Sequence, residues 1–153
     1  MNIRLAAIKA KENLTSFLEA EMELTDHDFW EGSIITYDLN PHLEVGIEDN
    51  GLRGVYVNKN LPKGIIIGEY IGEELKTKQE VWNRLKGNNN TYMVQVHKKL
   101  WIDGEFKGNI LSLINHSCHN NNCKLIRLSP TKVGIILIQD INENEFLHFN
   151  YQC

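Results

Sequence analysis

The sequence predicts a mostly-β (α+β) fold of several short sheets with accessory helices, and three observations carry that expectation. From about Ser33 onward the chain is a succession of short extended runs rich in Val, Ile and Tyr, each bounded by Gly, Asn or Pro. Helical spacing of apolar residues is confined to residues 3–22 and to a short stretch after Thr77. No internal repeat and no linker divides the chain, so its 153 residues read as an N-terminal helical extension over 1–32 attached to one β-rich domain over 33–153.

The elements follow in order. Ile3, Ala6, Ala7, Leu14, Phe17, Leu18 and Met22 recur at helical spacing and predict one or two helices lying on the rest. Gly54-Val55-Tyr56-Val57 is the first clear extended run, and Asn58 to Gly64 is a turn. Ile65 to Ile71 predicts a β-branched strand. Thr77-Lys78-Gln79-Glu80 is a capping box, followed at helical spacing by Val81, Trp82 and Leu85, with Gly87 as the stop. Tyr92 to Val96 alternates like a half-buried strand and is expected to pair with Leu100 to Asp103 across His97-Lys98-Lys99. Lys124 to Leu128 and Val133 to Ile138 flank Ser129-Pro130-Thr131-Lys132 and predict a hairpin. Phe146 to Tyr151 reads as a last short strand. The asparagine runs at 88–90 and 120–122 read as loops.

Composition excludes several classes. Hydrophobic content of 42% and charge of 24% are those of an ordinary soluble globular protein. No apolar run approaches the roughly 20 residues of a membrane span, and residues 1–10 lack the pattern of a secretory signal. A net charge of −4 argues against direct nucleic-acid binding, which needs a basic footprint; it suits a basic partner such as a lysine-rich peptide, and by itself is equally explained by solubility alone. Three cysteines argue against a disulfide framework and for a reducing compartment.

The residues that invite a chemical reading are Asn115-His116-Ser117-Cys118. They follow the apolar run Ile110 to Ile114, which anchors them in a core. Polar side chains placed there cost free energy unless each finds a partner. A ligand supplies such partners; so does a capped turn after a short helix, and the quartet alone leaves both open.

Four blocks taken in order resemble the SET domain, the fold of S-adenosylmethionine-dependent protein lysine methyltransferases. The first is Gly51 to Val57, then Leu61-Pro62-Lys63-Gly64 and Gly68 to Glu73, similar to the family's glycine turn, its bend and its "E-Y-x-G-E" strand. The second is Tyr92-Met93-Val94. The third is Ile102-Asp103-Gly104, Lys107-Gly108-Asn109 and Ile114 to Cys118, similar to "F-I-N-H-S-C". The fourth is Asp140 to Glu145 with Leu147 to Tyr151, similar to "D-I-x-x-G-E-E-L-T-F-D-Y". The resemblance implies a C-terminal segment folded back against the Asn-His-Ser-Cys loop.

It also implies roles. Tyr151 would be the catalytic tyrosine, orienting amine and sulfonium without serving as a base, since a phenol of pKa near 10 is scarcely ionised at neutral pH. Tyr92 and Phe149 would line the channel for the substrate lysine, with Phe149 pointing to di- or trimethylation. Arg53, Gly54, Val55 and Tyr56 would offer backbone groups to S-adenosyl-L-methionine, glycine allowing close approach. Asn115 would offer donor and acceptor to the amino-acid end of that cofactor, and His116 its backbone.

The chain departs from the pattern at several places. Leu52 stands where a glycine is usual unless the turn shifts to use Gly51, and Ser112 where many members carry arginine. Phe146, His148 and Asn150 replace the usual glutamate, threonine and aspartate, and Asn144 replaces a turn glycine, a mild change because asparagine tolerates the left-handed region. No cysteine-rich segment follows Tyr151 in the sequence, so residues 1–32 or a second copy of the chain in a homodimer are expected to close the channel.

Cys118, Cys123 and Cys153 with His119 or His148 are residue types that zinc takes, but their spacing is not that of a zinc knuckle. Free or buried thiols are the favoured reading, and no metal ligand is assigned. The expected activity is methyl transfer to a lysine of a basic protein, a histone tail first, in the nucleus or otherwise the cytoplasm. A non-histone target and an inert SET-like binding module are the alternatives.

Overall fold

A computed structural model describes residues 38–86, 92–117 and 119–149. The expected helices of residues 3–22 lie outside them, as do Gly87, Cys118, Asn150, Tyr151 and Cys153.

Ten short strands form three small sheets among the described residues. A two-stranded sheet pairs β1 (Leu43–Ile47) with β2 (Arg53–Val57) antiparallel, Val45 opposite Val55. A three-stranded sheet has β6 (Leu100–Asp103) between β4 (Glu73–Leu75) and β5 (Met93–His97). A five-stranded sheet runs β3 (Ile66–Glu69), β9 (Lys132–Leu137), β8 (Cys123–Ser129), β10 (His148–Phe149) and β7 (Asn115–His116). Helix α1 (Lys78–Lys86) and a 3₁₀ turn (Ile110–Leu113) complete the set. The mostly-β expectation holds.

Local chemistry explains most boundaries. The turn between β1 and β2 is closed by Gly51 N donating to Glu48 O at 2.8 Å, and Gly51 takes φ 84°, a conformation that a side chain would resist. It is thus Gly51, not position 52, that supplies the turn glycine. Asn144 likewise sits at φ 70°, as its side chain allows. The capping box forms in part: Glu80 N donates to Thr77 Oγ1 at 3.1 Å, while the Thr77 hydroxyl donates to the Glu80 carboxylate at 3.2 Å. Val81 and Leu85 are the buried face of α1.

Two expectations need correction, and one strand was missed. Residues 65–71 do not make one strand; β3 ends at Glu69, and after Gly72 the chain enters a second sheet as β4. Gly72 permits that passage, because a Cβ there would collide with the Asp103 carbonyl. β5 is not half-buried: Met93, Val94, Gln95 and Val96 are all buried, so its apparent alternation did not mark a solvent face. β1 was not singled out in the sequence, since Glu44 and Gly46 interrupt its apolar character and Val45 and Ile47 are exposed.

One core joins the sheets. Val55, Ile67, Met93, Leu111, Ile114, Ile135, Ile141, Leu147 and Phe149 are essentially inaccessible to water and belong to a single cluster. Arg84 on α1 ties the three-stranded sheet together from one side, reaching Glu73 at 2.6 Å and the buried Asp103 at 2.9 Å.

Candidate functional site

The site grows from the apolar plug. Asn109 caps the 3₁₀ turn by accepting from Leu111 N at 3.1 Å, and its amide donates to Glu69 O at 3.0 Å. Leu111 and Ile114 are wholly buried, which seats Asn115 and His116 as β7 at the sheet edge. The short helix that the sequence allowed before the quartet is present as this 3₁₀ turn, but Asn115 and His116 follow it as a strand and not as a capped turn.

β10 lies between β7 and β8 and runs parallel to both, His148 opposite Asn115 and Phe149 opposite His116 and Cys123. Ser117 N also donates to Phe149 O at 3.3 Å. Just before β10, Leu147 N donates to Val55 O at 2.8 Å and Tyr56 bridges Phe146, so this segment is stitched to β2 as well. Parallel strands cannot be joined by a tight turn, and here 31 residues lie between His116 and His148. Residues 118 and 150–153, with Tyr151, lie outside the described residues.

Asn115 is the crossing point. Its Nδ2 donates to Arg53 O at 2.7 Å and to Glu48 Oε2 at 2.5 Å. Two acceptors around one end settle which end is the amide nitrogen. Both hydrogens are spent inside the protein, so the carbonyl oxygen is the polar atom that Asn115 can offer a ligand. That narrows the expectation of donor and acceptor together. The other oxygen of Glu48 lies 2.6 Å from His148 Nε2.

The β2 residues serve in different ways. Arg53 and Val55 have their carbonyls engaged by Asn115 and Leu147, and the Val55 side chain is in the core. Tyr56 donates its hydroxyl to the Glu44 carboxylate and packs edge-on against Phe146, ring centroids 5.5 Å apart. That hydroxyl, then the Asn58 amide, holds the Glu44 carboxyl below its ordinary range, and the Glu44 carboxylate in turn pushes the Tyr56 phenol above its own. The space above Gly54, expected to admit a cofactor, is taken by Glu48: a Cβ on Gly54 would stand no more than 3.0 Å from three atoms of that side chain.

Phe149 is buried in the core cluster. Tyr92 is half-buried ahead of β5, and its carbonyl accepts from Tyr70 Oη at 2.6 Å and Gly104 N at 3.1 Å. Cys123 is buried under β10 and donates to His148 O at 3.4 Å; burial pushes its thiol pKa well up.

Two residues escaped the sequence reading. Glu48 belongs to no motif and sits in a turn. Asn122, read as a loop asparagine, is buried and grips β10: its Oδ1 accepts from His148 N at 2.8 Å, its backbone N donates to His148 O at 2.9 Å, and its Nδ2 donates to Phe146 O at 2.9 Å. Only the burial of position 122 distinguishes it from its neighbours, and no sequence pattern carried that signal.

Comparison with known proteins bears on this arrangement. The family model described as "SET domain" matches residues 52–152. The chain belongs to the SET-domain family. It is 35% identical over 106 residues to "Histone-lysine N-methyltransferase ASHR3" of Arabidopsis thaliana, covering 65% of this chain and 21% of that protein. It is 33% identical over 105 residues to "Histone-lysine N-methyltransferase, H3 lysine-4 specific" of Chaetomium globosum, covering 65% of this chain and 10% of that protein. A third relative, "Histone-lysine N-methyltransferase NSD3" of Mus musculus, is 32% identical over 132 residues, 81% of this chain and 9% of that protein. The chain thus spans a small part of each relative's length. No helix among the described residues is long and apolar enough to cross a membrane.

Proposed function

We propose that this SET-domain chain is a protein lysine N-methyltransferase that uses S-adenosyl-L-methionine and acts on a lysine of a basic protein, a histone tail first, in the nucleus. The observation that carries the reading is the parallel pairing of β7 with β10, Asn115 opposite His148 and His116 opposite Phe149, in a chain whose relatives bear histone-lysine methyltransferase names.

The residues fit the cofactor in one testable respect. Asn115 has donated both hydrogens to the protein and keeps an acceptor oxygen, which suits the ammonium of an amino-acid end rather than its carboxylate. The cofactor supplies an electrophilic methyl group on a cationic sulfur.

Everything else falls to the chain. A lysine of pKa about 10.4 loses roughly 4.6 kcal/mol in becoming neutral at pH 7. Desolvation in an apolar channel and a nearby cation both reduce that cost. Tyr92 and Phe149 are assigned to the channel wall, where aromatic faces suit an alkyl stem and a cationic head. Tyr151 is assigned the placement of the attacking nitrogen in line with the methyl group, its hydroxyl remaining protonated. His116, Arg53, Gly54, Val55 and Tyr56 support the cofactor through β7 and β2. Phe149 in place of a tyrosine leaves room for di- and trimethylated amines.

The test is methyl transfer from labelled S-adenosylmethionine to core histones and to a whole-cell lysate, beside Tyr151→Phe. Label is expected on a histone with wild type and at least a hundredfold less with Tyr151→Phe. Equal labelling by both proteins, or none by either, refutes the assignment.

A further inference from the structure

The Glu48 side chain is only 10% exposed, yet it stands outside the core and outside every motif in the chain. Its carboxylate rests on the bare Cα of Gly54, with one oxygen on Asn115 Nδ2 at 2.5 Å and the other on His148 Nε2 at 2.6 Å. It reaches these partners across 67 and 100 residues of sequence, from the turn between β1 and β2 to β7 and β10. His148 is itself a departure, standing where the family pattern has threonine.

The polar atoms gathered here are nearly all acceptors. Glu48 contributes two oxygens, each with a lone pair beyond the bond it already accepts; Asn115 contributes Oδ1; Arg53 contributes a carbonyl that already accepts from Asn115. A ligand anion meets a like charge at this corner. A ligand ammonium meets a carboxylate held rigidly from two sides and an amide oxygen whose orientation is locked.

The geometry points to Glu48 as a specificity-determining residue that binds the α-ammonium of the methyl donor beside Asn115, making recognition of the amino-acid end depend on a carboxylate supplied by the β1–β2 turn. This rests on the methyltransferase reading above. His148 is a positioning residue that holds the carboxylate over Gly54, and Asn115 shares the bound cation. A latch between strands would need the same contacts but would be indifferent to the ligand's amino group, and that difference decides the test.

Calorimetric titration of the full chain with S-adenosylhomocysteine and with its des-amino analogue separates the cases. Wild type is expected to bind S-adenosylhomocysteine about tenfold to a hundredfold more tightly than the analogue, the range of one charge-assisted contact. Glu48→Gln is expected to remove most of that preference by weakening S-adenosylhomocysteine while leaving the analogue unchanged, and Glu48→Asp to retain part of it. Equal weakening of both ligands by Glu48→Gln makes the residue a latch and overturns the inference while sparing the methyltransferase reading. Equal affinity of wild type for the two ligands overturns it without any variant, and so holds even if Glu48→Gln does not fold. Binding of neither ligand by wild type removes the cofactor assignment and this inference with it.

Discussion

Asn122 holds both backbone groups of His148, accepting from its N–H at 2.8 Å and donating to its carbonyl at 2.9 Å, across 26 residues of sequence. The side-chain oxygen and the backbone N–H of Asn122 together hold β10 in place. Asn122→Ala leaves His148 N and Phe146 O without their side-chain partners in a buried setting. It is expected to cost about 2 kcal/mol, read as a lower urea midpoint at unchanged m-value. Asn122→Asp keeps the acceptor but loses the donor and sets a charge near Glu145, now 3.4 Å away, so it is expected to be no better than alanine.

Gly54→Ala addresses the space that Glu48 fills. The new Cβ meets the far end of a flexible side chain rather than backbone, so the fold is expected to survive with a loss under about 1 kcal/mol. The carboxylate is displaced from Asn115 and His148, and affinity for S-adenosylhomocysteine is expected to fall about tenfold by calorimetry. Unchanged affinity would show that the Glu48 position does not matter to the ligand.

Arg84 protects a buried charge. Asp103 is 1% exposed, and Arg84 also pairs with Glu73, whose carboxyl it holds below the ordinary range. Arg84→Met takes the cationic partner from the buried Asp103 and is expected to cost about 2–3 kcal/mol. Adding Asp103→Asn is expected to return part of that loss, which a double-mutant cycle in urea measures.

Glu105 carries the opposite sign. Burial first, then Asp103, raises its carboxyl above the ordinary 4.5, and one of its oxygens is buried without a hydrogen-bond partner. A raised acid favours the fold only while protonated, so its ionisation subtracts stability as pH rises from 4.5 through the folded pKa. Glu105→Gln is expected to gain less than about 1 kcal/mol at pH 7, a gain that fades below 4.5. Thermal melts of both proteins at pH 4 and pH 7 check it; a gain independent of pH would assign the effect to packing.

What the sequence by itself determined is local. Turn chemistry put glycine at 51 and asparagine at 144, the capping box started α1, and Ser129 to Lys132 closed the β8–β9 hairpin, because each depends on residues a few positions apart. The order of short motifs was enough to identify the family. What only the tertiary structure decided is long-range. The passage of β10 between β7 and β8, the burial of Asn122, and the meeting of Glu48 with Asn115 and His148 join residues 26 to 100 positions apart. No periodicity records such pairings. They follow from closing one core around Leu111, Ile114 and Phe149, which brings β7 against β10 and β2 against the segment that leads into β10.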